Sequence, residues 1–171
     1  DDVSVVVNGE SQTGYWMVEN DGTLYPFGDA AVHSPIPLGG ADALSIVTTN
    51  GSGVWVLDST GMVYVRGASG HFGDLVTNPV VLDLGENVAS LSVKPDGTGY
   101  WIFTSKGRAI PFGSASFFGD MTAFVLDGDV IASVSTTTGL GYYMVGSDGG
   151  LFTFRHPVVT GSVPHVVPVA P

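Results

Sequence analysis

Gly14-Tyr15-Trp16-Met17-Val18 returns as Gly53-Val54-Trp55-Val56-Leu57 and as Gly99-Tyr100-Trp101-Ile102-Phe103, with a fourth copy, lacking Trp, at Gly141-Tyr142-Tyr143-Met144-Val145. The leading glycines stand 39, 46 and 42 residues apart. A period of this size marks a repeat architecture, because one such unit cannot bury its apolar side alone and must pack on its neighbours. The copies keep register well past the tryptophan. Eight residues after each leading glycine comes a turn glycine: Gly22, Gly61, Gly107 and Gly149. Five further on stand Phe27, Arg66, Phe112 and Phe154, followed by Gly28, Gly67, Gly113 and Arg155. Six beyond those are Ser34, Gly73, Gly119 and Gly161. Length varies only between units, where loops belong.

Each unit reads as four short strands. Upstream of each phrase lies a strand-like run: Ser4-Val5-Val6-Val7, Ser45-Ile46-Val47, Ser90-Leu91-Ser92-Val93 and Ser133-Val134-Ser135. The Trp phrase is the second strand. Asn20-Asp21-Gly22 and Ser147-Asp148-Gly149 predict hairpins of type I′ geometry into a third strand such as Leu24-Tyr25-Pro26-Phe27. A fourth strand is expected at His71-Phe72 and Phe117-Phe118. Pro26 and Pro111 share one place in the third strand and remove a ladder donor, which puts that strand at an edge or a bulge. Helical signals are nearly absent, with 25 Gly and no apolar run at helical period.

The expectation is an all-β propeller of four four-stranded antiparallel blades, covering residues 2–40, 41–85, 86–127 and 128–162. A closed four-bladed ring is favoured. Half of an eight-bladed dimer, or a piece of a larger propeller, are the alternatives. Residues 163–171, rich in Pro and Val, read as a linker or a closing strand.

Composition bounds the function. Five basic against sixteen acidic residues give a net charge of −11, which repels nucleic acid and anionic membranes. No apolar run reaches the roughly 18 residues of a helical span, so no membrane insertion is expected. With no cysteine there is no disulfide, thiolate metal site or Cys nucleophile. An acidic, Lys-poor, Gly-, Ser- and Thr-rich β protein suits an extracellular or cell-surface setting.

The phrase from Gly14 to Ala30, GYWMVENDGTLYPFGDA, resembles the GYW-type propeller repeats of secreted bacterial, especially actinobacterial, surface proteins. Residues 141–154 and 99–119 resemble it as well, and 53–73 diverges most, with Val54, Thr60 and Arg66 at the Tyr, Asp and Phe positions. The resemblance implies a propeller module accompanying cell-wall hydrolases and adhesins without being their catalytic part.

No nucleophile elbow, P-loop, metalloprotease helix or EF-hand loop occurs. The histidines His33, His71, His156 and His165 fall mostly in different repeat columns, which predicts no joint metal site. No cofactor is expected. Calcium is the one metal with candidate ligands: Asp74 and Asp120 in one column, and the loop pair Asp127 and Asp129. Against it, Asp commonly caps turns with its own carboxylate.

A ligand site is sought where the repeat is broken. Arg66 replaces Phe, Arg155 replaces Gly, and His71 stands beside Phe72. Tyr25 and Tyr64 share a third-strand column and offer aromatic faces suited to a sugar, or else pack between blades. The favoured reading is a non-catalytic module binding a glycan or a surface protein, or serving as a scaffold. One alternative is a structural subunit that self-associates through blade edges. The other is a glycan-active hydrolase or lyase with an Asp-based centre, which predicts a carboxylate of raised pKa.

Overall fold

The computed structural model describes residues 3–4, 14–49, 53–67 and 70–155, the first two as backbone only. Twelve strands and no helix lie among them. The tail 163–171 and residues His156 and His165 lie outside the described residues. Two compact units cover residues 1–81 and 82–171.

The first unit holds β1 (Val3–Ser4), β2 (Tyr15–Val18) and β3 (Leu24–Phe27) in one sheet, and β4 (Ala43–Thr48), β5 (Gly53–Asp58) and β6 (Val63–Gly67) in another. The second unit repeats this with β7 (Val88–Val93), β8 (Gly99–Thr104) and β9 (Ala109–Gly113), then β10 (Val130–Ser135), β11 (Gly141–Gly146) and β12 (Leu151–Arg155). Every sheet is an antiparallel meander with the Trp phrase, or its Tyr143 counterpart, in the middle strand. Pro26 and Pro111 sit on β3 and β9, the outer strands of their described sheets, as the missing N–H requires.

Two expectations of detail are corrected. His71-Phe72 and Phe117-Phe118 form no strand; each described sheet has three strands. The connecting segment is held instead by the tryptophan side chain. Trp16 Nε1–H donates to the Ala31 carbonyl at 2.8 Å, Trp55 to Gly70 at 2.6 Å and Trp101 to Ser116 at 2.7 Å, each fifteen residues on. A short apolar segment signals extension, but not which group satisfies its backbone.

The hairpins are not two-residue type I′ turns. Gly22 N–H bonds to the Glu19 carbonyl while Glu19 N–H bonds to Thr23, and the same pair of bonds recurs at Asp58–Met62, Thr104–Arg108 and Gly146–Gly150. This is the three-residue loop with glycine in the left-handed region. The φ values of Gly61 and Gly107 are 87° and 74°, and a Cβ there would also meet Leu75 at 2.8 Å and Met121 at 2.6 Å.

The first strands β4, β7 and β10 of their sheets carry one bulge each at a common place, between Ala43 and Ser45, Val88 and Ser90, and Val130 and Ala132. Counting from it, Ser133 lies opposite Met144 as Leu91 lies opposite Ile102, so it shares a column with Leu91 and Ile46 rather than with Ser90 and Ser45. The shift brings its hydroxyl to 2.6 Å from Ser90 Oγ and 2.7 Å from Ser92 Oγ.

Packing follows one rule in both units. Trp16 and Val18 of β2 form a core with Val54 and Val56 of β5. Trp101 and Phe103 of β8 form one with Tyr142 and Met144 of β11. The Trp-bearing face of one sheet thus takes the opposite face of the next. Replacing Trp101 by Phe removes the donor to Ser116 and is expected to destabilise the protein by about 1–3 kcal/mol. Tyr15→Phe, on an exposed ring, should stay within about 0.5 kcal/mol. Urea titration of both variants checks this.

Candidate functional site

Among the described residues, two polar constellations stand out, one in each unit. In the first, the Asp58 carboxylate closes the β5–β6 turn. Its Oδ1 accepts the Thr60 N–H at 2.8 Å, the Thr60 hydroxyl at 2.6 Å and the Met62 N–H at 3.0 Å. Its Oδ2 accepts the Tyr64 hydroxyl at 3.1 Å. Burial, helped by the Asp58 charge, raises the Tyr64 pKa above its ordinary value.

Asp74 is buried on the connecting segment beyond β6. Its Oδ1 accepts the N–H groups of Val76 and Thr77 and the Thr77 hydroxyl, and its Oδ2 faces His71 Nε2 at 3.3 Å. Burial pushes this carboxyl up, but the Thr77 bonds, the Val63 N–H and His71 outweigh it and leave the pKa below the ordinary value. The turn-capping alternative therefore describes Asp74 well: its oxygens already have donors.

In the second unit, Glu86 is buried below the β8–β9 turn. It accepts the Thr104 hydroxyl at 2.6 Å, the Asp83 N–H at 2.7 Å, and Arg108 through Nε and Nη2, both at 2.9 Å. Burial alone raises its pKa; the Arg108 fork, Thr104 and the Asp83 N–H overcome this and hold it at about 2. Arg108 also reaches the exposed Asp83 at 3.1 Å. In the first constellation Tyr64, His71 and Asp74 are residues the sequence singles out, while the second left no sign in the repeat pattern, because Glu86 and Arg108 share no column and lie 22 residues apart.

The remaining candidates are dispersed. The Tyr25 hydroxyl donates to Glu19 at 3.0 Å, an exposed counterpart of the Tyr64–Asp58 pair. Arg66 donates to the carbonyls of Ser34, Pro35 and Val65, clamping the segment that leads from the first sheet to the second. Arg155 is exposed at the end of β12. Asp120 accepts the Thr122 N–H and hydroxyl, as a turn-capping carboxylate does. Asp127 and Asp129 are exposed on the loop before β10. No group of three or more His, Asp or Glu converges among the described residues. His33 stacks on Trp16 with centroids 5.8 Å apart, and its buried Nε2 has no hydrogen-bond partner. Burial and the Arg66 charge lower its pKa, favouring the neutral ring.

No protein-family model and no curated protein matches the chain. Solved structures are similar to it. A complex of KlAtg21 with the coiled coil of AgAtg16 matches at a TM-score of 0.56 and 13% identity, over 91% of this chain and 52% of that one. The C-terminal WD40 domain of Sif2 matches at a TM-score of 0.49 and 14% identity, over 97% of this chain and 50% of that one. This chain therefore spans about half the length of the solved structures it matches. What the likeness establishes is the fold: the four meander sheets are β-propeller blades.

The folded pKa of Glu86, about 2, lies below the usual 4.5, so its stabilisation is complete above pH 4.5 and is lost as pH falls towards 2. Expressed in free energy, the loss is on the order of 2–3 kcal/mol. Glu86→Gln should lower stability at neutral pH and flatten the acid limb between those values. Thermal melts across that range read the difference in slope.

Proposed function

We propose that the chain is a non-catalytic extracellular propeller module that binds a protein partner through the segments connecting its blades. The observation that carries this reading is where the apolar surface lies. The connections present Val32 at 84% exposure, Leu84 and Val125 at 99%, and Phe117 and Phe124 at 56% and 57%. Solitary exposed apolar residues are ordinary, but their concentration on the connections, in columns that differ between repeats, suits recognition of another protein. Of the neighbours, the KlAtg21 structure is itself a complex with a coiled coil, a partner of the same general class.

Charge chemistry supports the non-catalytic part. A hydrolase or lyase built on Asp needs one carboxyl held protonated near neutral pH. Among the described residues, the carboxylates with displaced pKa, Asp21, Asp74, Glu86 and Asp96, are all displaced downwards. The extracellular setting rests on the acidic, cysteine-free, Lys-poor composition and on the resemblance to GYW-type repeats.

The test is retention of proteins and polysaccharides from an extracellular fraction on immobilised chain, with Phe124→Ser/Val125→Ser alongside. Proteins held by the wild type and lost at least tenfold by the variant, at unchanged melting temperature, are the expected result. Retention of a polysaccharide instead replaces the protein ligand with a glycan. Turnover of a polysaccharide overturns the non-catalytic reading.

A further inference from the structure

Each blade has two faces, and the repeat uses them in a fixed order. The leading face carries the residue before the tryptophan together with the Phe27 column; the trailing face carries the tryptophan column. In the second unit the leading-face ring of Tyr142 meets the trailing-face rings of Trp101 at 5.4 Å and Phe103 at 5.0 Å. In the first unit Val54 and Val56 meet Trp16 and Val18 in the same sense.

Two faces break the pattern. On the first blade the leading-face pair Tyr15 and Phe27 is 40% and 41% exposed, whereas Tyr100 and Tyr142 are 0% exposed and Phe112 and Phe154 only 9% and 6%. The pair also differs in ring geometry from its counterparts. Tyr15 and Phe27 stack on each other at 4.8 Å and 12°, while Tyr100–Phe112 and Tyr142–Phe154 are opened to 42° and 40°. On the last blade the trailing face is partly exposed among the described residues. Val134 pairs with Tyr143, and Leu151 with Val145, on that face. Val134 is 56% and Leu151 42% exposed, where their third-blade counterparts Ser92 and Ala109 are 3% and 5%.

We propose that these are the two halves of one junction: the leading face of one copy's first blade docks on the trailing face of a second copy's last blade. Two observations select a second copy as the occupant. Both halves are carried by the same chain and match the junction it already builds twice. Edge-to-edge assembly is disfavoured, because Pro26 and Pro111 remove ladder donors from outer strands. The contact is heterologous within each junction, and two reciprocal junctions related by a two-fold axis leave neither face bare. With −11 on each copy, pairing strengthens as salt screens the repulsion. This inference goes beyond the protein-binding reading and stands independently of it.

Light scattering on the purified chain at low and moderate salt tests it. The expected mass is twice 17.6 kDa, with a dimer fraction that rises with salt. Tyr15→Glu/Phe27→Glu on one face and Val134→Arg/Leu151→Arg on the other change exposed positions, and each should return the mass to 17.6 kDa with the melting temperature retained. Mixing the two variants leaves one junction intact and should restore pairing in part. A wild-type chain that stays at 17.6 kDa at every concentration overturns the proposal, as does an assembly that neither pair of substitutions disturbs.

Discussion

The indole hydrogen bond of the second strand is the constraint on which the first three blades depend. A tryptophan buried in an inter-blade core still has one N–H that must find an acceptor. In this chain the acceptor is always a backbone carbonyl fifteen residues downstream, at 2.6–2.8 Å. One side chain thereby fixes two things. The ring fills the space against the next blade, and the N–H hangs the outgoing connection on the middle strand. The connection needs no ladder of its own, and the described sheets stop at three strands. In the fourth repeat Tyr143 replaces the indole, and the residue fifteen on lies outside the described residues.

A second level of organisation keeps buried charge harmless. Asp58, Asp74 and Glu86 are nearly inaccessible to water. Isolated carboxylates in such places would be expelled or protonated. Here each collects backbone N–H groups, hydroxyls or a guanidinium, and for Asp74 and Glu86 these partners outweigh burial and favour ionisation. Of the calcium candidates, Asp74 and Asp120 have carboxylate oxygens engaged in their own turns.

How much of this could be read from the chain beforehand follows from what a repeat encodes. The period and the Gly-Tyr-Trp phrases mark the middle strands, because identical inter-blade packing demands identical residues. The glycine eight residues on marks the hairpin, and Pro26 and Pro111 mark outer strands through a missing donor. Turn type escaped, since Asp-Gly serves both the two-residue and the three-residue loop, and only the bonds at Glu19–Thr23 and its equivalents distinguish them. The column of Ser133 is set by strand register and not by serine identity, and the loop before β11 is one residue longer than that before β5. The site was less legible still. Arg66 stands out as a break in the Phe column, yet its guanidinium clamps Ser34 and Pro35, a partnership visible only once two blades are in place. Glu86 and Arg108 lie 22 residues apart and belong to no repeated motif.

The central claim, that buried indole bonds hold the blades together, is tested most directly by solvent exchange of the three tryptophan Nε1–H protons in NMR spectra of the native chain. Protection of all three to the level of the middle-strand amides is the predicted result, because releasing an indole then requires opening a blade. Indole protons that exchange near the rate of a free side chain, while the strand amides remain protected, would contradict the account.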